Sequence, residues 1–190
     1  KKCAKNLRAK FIEIKLDELK KRSTSLINRR GKIKKMKRKE LKDTRKESEN
    51  WYVPFRNAVF LIYALGFAES LYIKERKKCD IFVGFKHEGL GGFPDTSLEF
   101  LKVIEKLSKF SKKGKYVIKS PLIKKDKSDV ISLGSKLGVS LKDTFSCYIG
   151  KEKHCGYCLA CRLKQEGFYW ANIKDNTAYN VKMRDFRLAN

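Results

Sequence analysis

Apolar and polar positions along the chain change between strand-like and helix-like patterns. Residues 11–16 (FIEIKL) alternate apolar and polar side chains and predict a short strand. Residues 80–85 (DIFVGF) and 116–118 (YVI) are compact apolar runs, which predict two further strands.

Helical patterns separate these strands. Residues 57–70 follow Pro54 and are apolar nearly all round, which is typical of a buried helix. Strands that alternate with helices favour a parallel sheet with helices on both faces, and therefore an α/β fold. The other predicted helices are one opened by residues 94–97 with a stripe of Leu98, Leu101, Ile104 and Leu107, residues 128–137 stopped by Gly138, and residues 158–166 stopped by Gly167.

Length and composition are those of one ordinary domain, residues 1–190, with 42% hydrophobic residues. The longest mostly apolar stretch, residues 58–68, is shorter than the ~20 residues of a membrane span. No secretory pattern opens the chain, so we expect a cytoplasmic protein without a membrane partner.

Positive charge is concentrated near the start of the sequence. The formal net charge is +25, and residues 28–50 are almost entirely charged and polar. We interpret residues 28–50 as an exposed, mobile, basic loop that is partly helical. Such charge attracts polyanions, so nucleic acid is a possible partner, and small anions such as ATP suit it equally well. Lysine runs also occur on solvated loops that bind nothing.

Four of the six cysteines, Cys147, Cys155, Cys158 and Cys161, crowd together, and this spacing favours a metal site over disulfides. Four thiolates complete a tetrahedral zinc site with no position left for water, so the ion is expected to be structural. An iron–sulfur cluster also uses C-x2-C-x2-C spacing and stays the alternative. His154 is expected to be a neighbour rather than a ligand, and Cys3 and Cys79 to be bystanders.

Four blocks of sequence, in order, resemble the 7-cyano-7-deazaguanine synthase family. They are Val53-Pro54-Phe55-Arg56-Asn57; Gly84 with residues 93–100 (FPDTSLEF); Pro121-Leu122 with residues 127–131 and the two Leu-Gly pairs 133–134 and 137–138; and the cysteine signature with residues 162–168. The likeness runs from about residue 50 to residue 179.

The resemblance implies a fold and a reaction. The fold would be a Rossmann-like sheet of the adenine nucleotide alpha hydrolase type, with a small zinc-binding element at residues 147–168. The reaction would activate the carboxylate of 7-carboxy-7-deazaguanine with ATP and Mg, let ammonia displace the activating group, and dehydrate the amide to the nitrile. The resemblance also suggests a homodimer.

Four residues fit that chemistry. Asp95 could accept hydrogen bonds from the amino-imino edge of the ring, and Phe93 could stack on it. Arg56 could bind phosphate or carboxylate through two hydrogen bonds, and Lys127 could bind phosphate. The alternatives are a helix-start carboxylate for Asp95, a salt bridge for Arg56 and an ordinary surface lysine for Lys127. No side chain stands out as catalytic.

The sequence departs from the family in two places. Its SGGxDS-type loop, which grips the pyrophosphate of ATP, does not occur in these residues, and Gly89-Leu90-Gly91-Gly92 is followed by Phe93-Pro94 instead of a serine and a helix. The sequence begins at Lys1, so we expect the ATP loop upstream or on another chain, and no turnover without it; the alternative is a degenerate member of the family. Thr96-Ser97 stands where many synthases have Cys-Arg.

Two rival functions stay open. One is a paralogue that ligates the activated carboxylate to another amine. The other is a non-enzymatic, zinc-stabilised basic module that binds RNA through residues 28–50.

Overall fold

Most of the regular secondary structure is helical in this computed structural model, which describes residues 1–29, 31–89, 92–112, 114, 116–150, 152–181 and 185. The helices are α1 (Lys2–Asn6), α2 (Asp17–Arg22), α3 (Arg45–Glu49), α4 (Arg56–Glu75), α5 (Leu98–Leu107), α6 (Lys127–Lys136) and α7 (Leu159–Trp170), and the strands are β1 (Ile81–Phe82) and β2 (Ile118–Lys119).

The chain divides into two compact units. The first unit comprises Lys1–Trp51 and Lys127–Asn190, and the second comprises Tyr52–Asp126. No helix of the described residues is both long enough and apolar enough to cross a membrane.

A parallel strand pair forms the centre of the second unit. Ile81 lies opposite Ile118 in register, and the Val83 N–H donates to the Lys119 carbonyl at 2.9 Å. Ile81 and Ile118 are buried, whereas Phe82 is 66% exposed, so only one face of the pair is covered. The predicted parallel pairing is confirmed. Strands form at both predicted places, 80–85 and 116–118, but each is only two residues long.

Helices α4 and α5 cover that buried face. Their buried members Leu61, Leu65, Leu101 and Ile104 form one cluster with the strands. Of the predicted stripe on α5, Leu98 and Leu107 are exposed instead, because the helix is only 10 residues long and its central turn carries the contacts.

The prediction of a helix at 57–70 is confirmed, but the expectation that it is buried all round is wrong. Helix α4 is longer, with 20 residues, and it exposes Phe60, Tyr63 and Phe67. These residues are three and four positions apart, so they share one helix face. A helix that packs against a single layer buries one stripe, whatever the character of its other face.

In the first unit, α6 packs against α7, and Gly167 of α7 lies at the contact. Helix α6 stops before Gly138, whose φ is +69°, as predicted. Helix α7 does not stop at Gly167 but continues to Trp170. A Cβ at Gly167 would lie 2.7 Å from Lys127 Cγ and 3.0 Å from Ile131 Cδ1. This glycine therefore permits close helix packing and does not terminate the helix.

The predicted strand at 11–16 is wrong, because these residues have no regular secondary structure. Phe11, Ile12 and Ile14 are about half exposed, at 49%, 48% and 50%. A strand needs a neighbouring backbone to complete its hydrogen bonds, and none pairs with it among the described residues.

The segment 28–50 is partly helical, as expected, but it is not uniformly exposed. It contains a 3-10 turn at Arg38–Lys42 and helix α3, and it buries Met36, Thr44, Glu47 and Ser48. The Met36 N–H donates to the carbonyl of Tyr157 at 3.1 Å. We call residues 31–39 the basic strap. The mobility of residues 28–50 stays a prediction, and so does the organisation as a single domain. Arg30 of this segment, and Leu90 and Gly91 of the glycine-rich stretch, lie outside the described residues.

Candidate metal centre and ring-binding site

The four predicted zinc ligands come together in the first unit. The sulfur atoms of Cys147, Cys155, Cys158 and Cys161 all lie within 4.8 Å of one another. Cys155 Sγ and Cys161 Sγ are 3.8 Å apart, which matches the edge of about 3.8 Å for a tetrahedron with Zn–S bonds of about 2.3 Å. The donor set therefore fits a tetrahedral metal ion such as zinc.

Backbone amides point at two of these sulfurs. Cys147 Sγ accepts from the N–H groups of Gly150 at 3.0 Å and Cys155 at 3.3 Å, and Cys155 Sγ accepts from Cys158 at 3.3 Å. Such donors favour the thiolate form, which is the form that binds metal.

A glycine holds the turn between the second and third cysteine. Gly156 has φ +89°, and a Cβ there would lie 1.9 Å from the carbonyl oxygen of Val181. Any other residue would be strained and would collide with backbone. The position therefore requires glycine.

Crowding makes the thiols share protons unequally. Hydrogen bonds from Cys158 and Cys161 lower the pKa of the Cys155 thiol, while the hydrogen bond to Cys155 raises the pKa of the Cys161 thiol. Four buried sulfurs this close cannot all carry negative charge unless a cation lies among them. A divalent ion bound by the four cysteines would supply that charge and favour their thiolate form.

His154 is buried beside the cluster but its ring is engaged elsewhere. Its Nε2 accepts from the Ser146 N–H at 3.1 Å, and the ring packs 4.5 Å from that of Phe145 and 5.5 Å from that of Tyr179. Burial lowers the pKa of His154, so the ring is held neutral. It is a neighbour of the cluster, as expected from the sequence.

The second candidate site lies in the second unit, around a turn that precedes α5. Asp95 is in the 3-10 turn Pro94–Thr96, and Ser97 caps α5 by accepting from the Phe100 N–H at 3.0 Å. The Asn57 side chain of α4 donates to the Asp95 carbonyl at 3.2 Å. The two family-like segments 53–57 and 93–100 are thus joined by this hydrogen bond.

The Asp95 carboxyl group is buried without full satisfaction. The residue is 8% exposed, and its Oδ1 has no hydrogen-bond partner among the described residues. Buried carboxylate oxygens are costly when unpaired. This oxygen is therefore an acceptor available to a donor from outside the chain.

Phe93 and Arg56 belong to the same two segments. The Phe93 ring stacks on Tyr52 with centroids 5.7 Å apart and planes at 20°, so Tyr52 is a stacking residue that sequence reasoning missed. Arg56 is half-buried at the start of α4, and its Nε has no hydrogen-bond partner in the described structure. Phe55 before it has φ 54°, a strained conformation for a residue with a Cβ.

Lys127 belongs to the first unit, where it begins α6 and packs beside Gly167. Its predicted role at phosphate, like the roles of Arg56, Phe93 and Asp95, stays a prediction.

A cavity of about 430 Å³ opens beside Phe93 in the second unit. Lys86 and His87 follow β1, and Ile123 and Lys124 follow β2; all four contribute to the wall. Sequence reasoning missed these residues. The available signal was their position after parallel strands, because open α/β sheets bind ligands at the carboxyl ends of their strands.

Thr96 and Ser97, where many synthases have Cys-Arg, also line this cavity. Both hydroxyl groups are engaged locally, since Thr96 Oγ1 donates to the Phe93 carbonyl at 2.7 Å and Ser97 Oγ caps α5. They shape the wall and hold the turn.

Comparisons with a family model and with known proteins point to the same family. The family model described as "Queuosine biosynthesis protein QueC" matches residues 1–172. A 7-cyano-7-deazaguanine synthase of Methanosphaera stadtmanae is 35% identical over 180 residues, covering 93% of this chain and 77% of that protein.

Two bacterial proteins of the same name are also similar. The Methylococcus capsulatus protein is 40% identical over 135 residues, which is 67% of this chain and 58% of that protein. The Campylobacter hominis protein is 40% identical over 135 residues, which is 70% of this chain and 59% of that protein. The matched region spans less than two thirds of these two relatives.

Proposed function

Because the chain belongs to the QueC family, we propose that it takes part in the ATP-dependent conversion of 7-carboxy-7-deazaguanine and ammonia to 7-cyano-7-deazaguanine. The names of its relatives support this reaction. The observation that carries the assignment to this chain is the buried, unpartnered Oδ1 of Asp95, two residues after Phe93, whose ring stacks on Tyr52.

In this proposal, the second unit recognises the flat ring. The Asp95 carboxylate accepts N–H donors from the ring's amino-imino edge, and these charge-assisted hydrogen bonds orient the substrate. Phe93, backed by Tyr52, provides a face for the ring. The cavity beside Phe93 falls within the size range of small-molecule sites.

The negative charge of the substrate carboxylate and of ATP with Mg requires cations. We assign Arg56 to that role, because its guanidinium lies at the start of the α4 segment that is hydrogen-bonded to the Asp95 turn. Lys127 is a second candidate for phosphate. The backbone amides of an SGGxDS-type loop would hold the pyrophosphate, and this sequence has no such loop.

We assign zinc to the four-cysteine cluster. Four thiolates fill the coordination sphere, so the ion would stabilise the fold and would not activate water. The residues that would hold it are Cys147, Cys155, Cys158 and Cys161.

The resemblance to the family also supports three wider proposals. The strand pair β1–β2 would belong to a Rossmann-like sheet with helices on both faces. The protein would be a cytoplasmic homodimer, and the exposed apolar face of α4, with Phe60, Tyr63 and Phe67, offers one surface for a second copy.

The test is to incubate the full-length protein with 7-carboxy-7-deazaguanine, ATP, Mg and ammonium, and to follow free nitrile by mass spectrometry. Nitrile that depends on all of these components supports the proposal. The chain of 190 residues alone should make none, and supplying a segment with the SGGxDS-type loop should restore turnover. A full-length protein that gives neither nitrile nor ATP hydrolysis would disprove the assignment.

The replacement of Cys-Arg by Thr96-Ser97 favours one alternative, a paralogue that joins the same activated carboxylate to another amine. The same incubation separates the two, because a paralogue consumes ATP and substrate without releasing free nitrile.

A further inference from the structure

We propose that the basic strap, residues 31–39, and the adjoining aromatic side chains form a binding surface for a single-stranded nucleic acid. All of these residues belong to the first unit, whereas the residues assigned to ring binding belong to the second.

The strap is a dense array of positive charge. Residues 31–39 contain six Lys or Arg and no Asp or Glu. Lys32, Lys35, Lys37 and Lys39 are exposed, whereas Lys34 pairs with Glu40 at 2.6 Å. A ligand that carries one phosphate per residue matches such a series of cations, because each contact releases bound counterions.

The strap is anchored to the cysteine cluster. Met36 is 1% exposed and packs in the same core as the four cysteines, and its N–H donates to the Tyr157 carbonyl at 3.1 Å. The cations on both sides of Met36 are therefore presented on a fixed backbone, which reduces the ordering entropy lost when a ligand binds.

The distribution of apolar side chains favours nucleic acid over a membrane surface. Met36 is buried and Ile33 is half-buried, and none of the exposed large hydrophobic residues lies in 31–39. Peripheral membrane segments combine basic residues with an exposed apolar face that enters the bilayer. The strap offers the charge without that face.

Aromatic rings border the strap and offer stacking faces for bases. Lys35 Nζ lies 6.0 Å from the ring centroid of Tyr157, and Arg38 Cζ lies 4.2 Å from that of Tyr169. The ring centroids of Tyr169 and Trp170 lie 5.2 Å apart in an edge-to-face contact, and Trp170 is 66% exposed. Tyr157 and Tyr169 are half-buried, so Trp170 is the exposed ring of this group. Cations beside aromatic rings are the combination that binds single-stranded nucleic acids.

The test measures fluorescence anisotropy of a labelled, unstructured 15-nucleotide RNA with the full-length protein at several KCl concentrations. The strap variant Lys32→Gln, Lys35→Gln, Lys39→Gln removes three exposed cations. Each phosphate contact contributes about 0.7 to the slope of log K against log salt, so this slope should fall by about 2 and the affinity at 0.1 M salt by tenfold to 100-fold.

The matched control, Lys102→Gln, Lys106→Gln, Lys109→Gln, removes the same charge from exposed positions of the second unit. It should keep the wild-type slope and an affinity within twofold. The variant Lys32→Arg, Lys35→Arg, Lys39→Arg should also bind, which guards against a folding defect in the glutamine variant. Absence of RNA binding, or equal losses in strap and control variants, would overturn the proposal.

Further arms identify the ligand. DNA of the same sequence should bind through the same strap, whereas vesicles rich in phosphatidylserine should not. Trp170→Leu should weaken RNA binding at least about fivefold and leave inorganic polyphosphate binding unchanged, since only bases stack. Strap-dependent vesicle binding without RNA binding, or a Trp170 variant that binds RNA normally, would contradict a nucleic-acid surface.

Discussion

A single carboxylate oxygen is the chemically most informative atom of the second unit. Asp95 is 8% exposed, and its Oδ1 has no partner among the described residues. Its backbone, by contrast, is fixed by the Asn57 side chain. A buried acceptor held in place without a donor is prepared for a ligand that brings the donor.

Replacing this acceptor should therefore affect binding more than folding. Asp95→Asn should weaken binding of 7-carboxy-7-deazaguanine about 10- to 100-fold, because a charge-assisted hydrogen bond worth about 1.5–3 kcal/mol is lost and an amide donor can face the ring's donors. Isothermal titration calorimetry on the full-length protein measures this. Glu99→Gln, at an exposed position of α5, is the matched control and should bind normally. Equal affinities of both variants and wild type would remove Asp95 from the site.

The metal centre gives a second prediction at this scale. Cys158 is fully buried, at 0% exposure, and Cys158→Ser should release the ion and lower the free energy of unfolding by several kcal/mol, since metal binding is coupled to folding. Elemental analysis and urea denaturation report the two effects. Cys3→Ser, at an exposed cysteine, should change neither. Iron in the purified protein, or a folded wild type without metal, would show that the zinc assignment is wrong.

At the scale of elements, two glycines inside helices have opposite surroundings. A Cβ at Gly167 of α7 would collide with Lys127 and Ile131 of α6, whereas one at Gly66 of α4 would meet nothing within 4 Å. The first glycine serves packing, and the second only weakens its helix.

Alanine should therefore have opposite effects at these positions. Gly167→Ala should destabilise the protein by about 1–3 kcal/mol through overpacking, while Gly66→Ala should stabilise it by about 0.5–1 kcal/mol through helix propensity. The urea denaturation midpoints of both variants and the wild type measure these changes in stability. A stabilising Gly167→Ala would mean that the α6–α7 contact is looser than described, and a destabilising Gly66→Ala would mean that the space around Gly66 is not open.

The elements that sequence patterns predicted are those with strong local signals. β1, β2 and α6 have compact apolar runs or a glycine stop, and all three formed as expected. Residues 11–16 carry an equally clear alternation but no strand, because a strand depends on a partner that its own sequence does not specify. Gly167 misled for a similar reason, since a glycine that ends a helix and one that packs a helix look alike in sequence.

At the scale of the whole molecule, the sequence predicted the cysteine cluster but not the cavity wall or the buried Met36. The cysteine cluster could be predicted because its ligands lie within 15 residues of one another, between Cys147 and Cys161. The cavity wall was missed although the pairing of β1 with β2 was predicted, because Lys86 and Lys124 look like ordinary surface lysines in a chain so rich in lysine. Met36 was missed because a buried methionine within a lysine run resembles a solvated loop.

Exposed basic side chains set where trypsin should act, and anchoring of the strap sets how fast it acts there. Trypsin should cut first within 28–50, where Lys and Arg side chains are abundant and exposed. Chelation of the metal should speed cleavage at sites in 32–39 at least about tenfold, because Met36 loses its packing against the cluster. Sites at 102–109 in α5 should be unaffected. Mass spectrometry of timed digests gives both rates, and a first cut in 93–110 would contradict this organisation.

The first unit is assembled from both ends of the sequence, Lys1–Trp51 and Lys127–Asn190, while the second is continuous. On the ribosome, Met36 therefore emerges long before the cysteines that enclose it. About a hundred residues separate them, so at roughly 5–20 residues per second the delay is about 5–20 s. Throughout that interval the continuous unit can fold by itself, whereas the opening segment has no core to join. A metal ion that these cysteines bind would therefore be taken up only after Met36 and the continuous unit have emerged, and until then the strap would lack the core that anchors it.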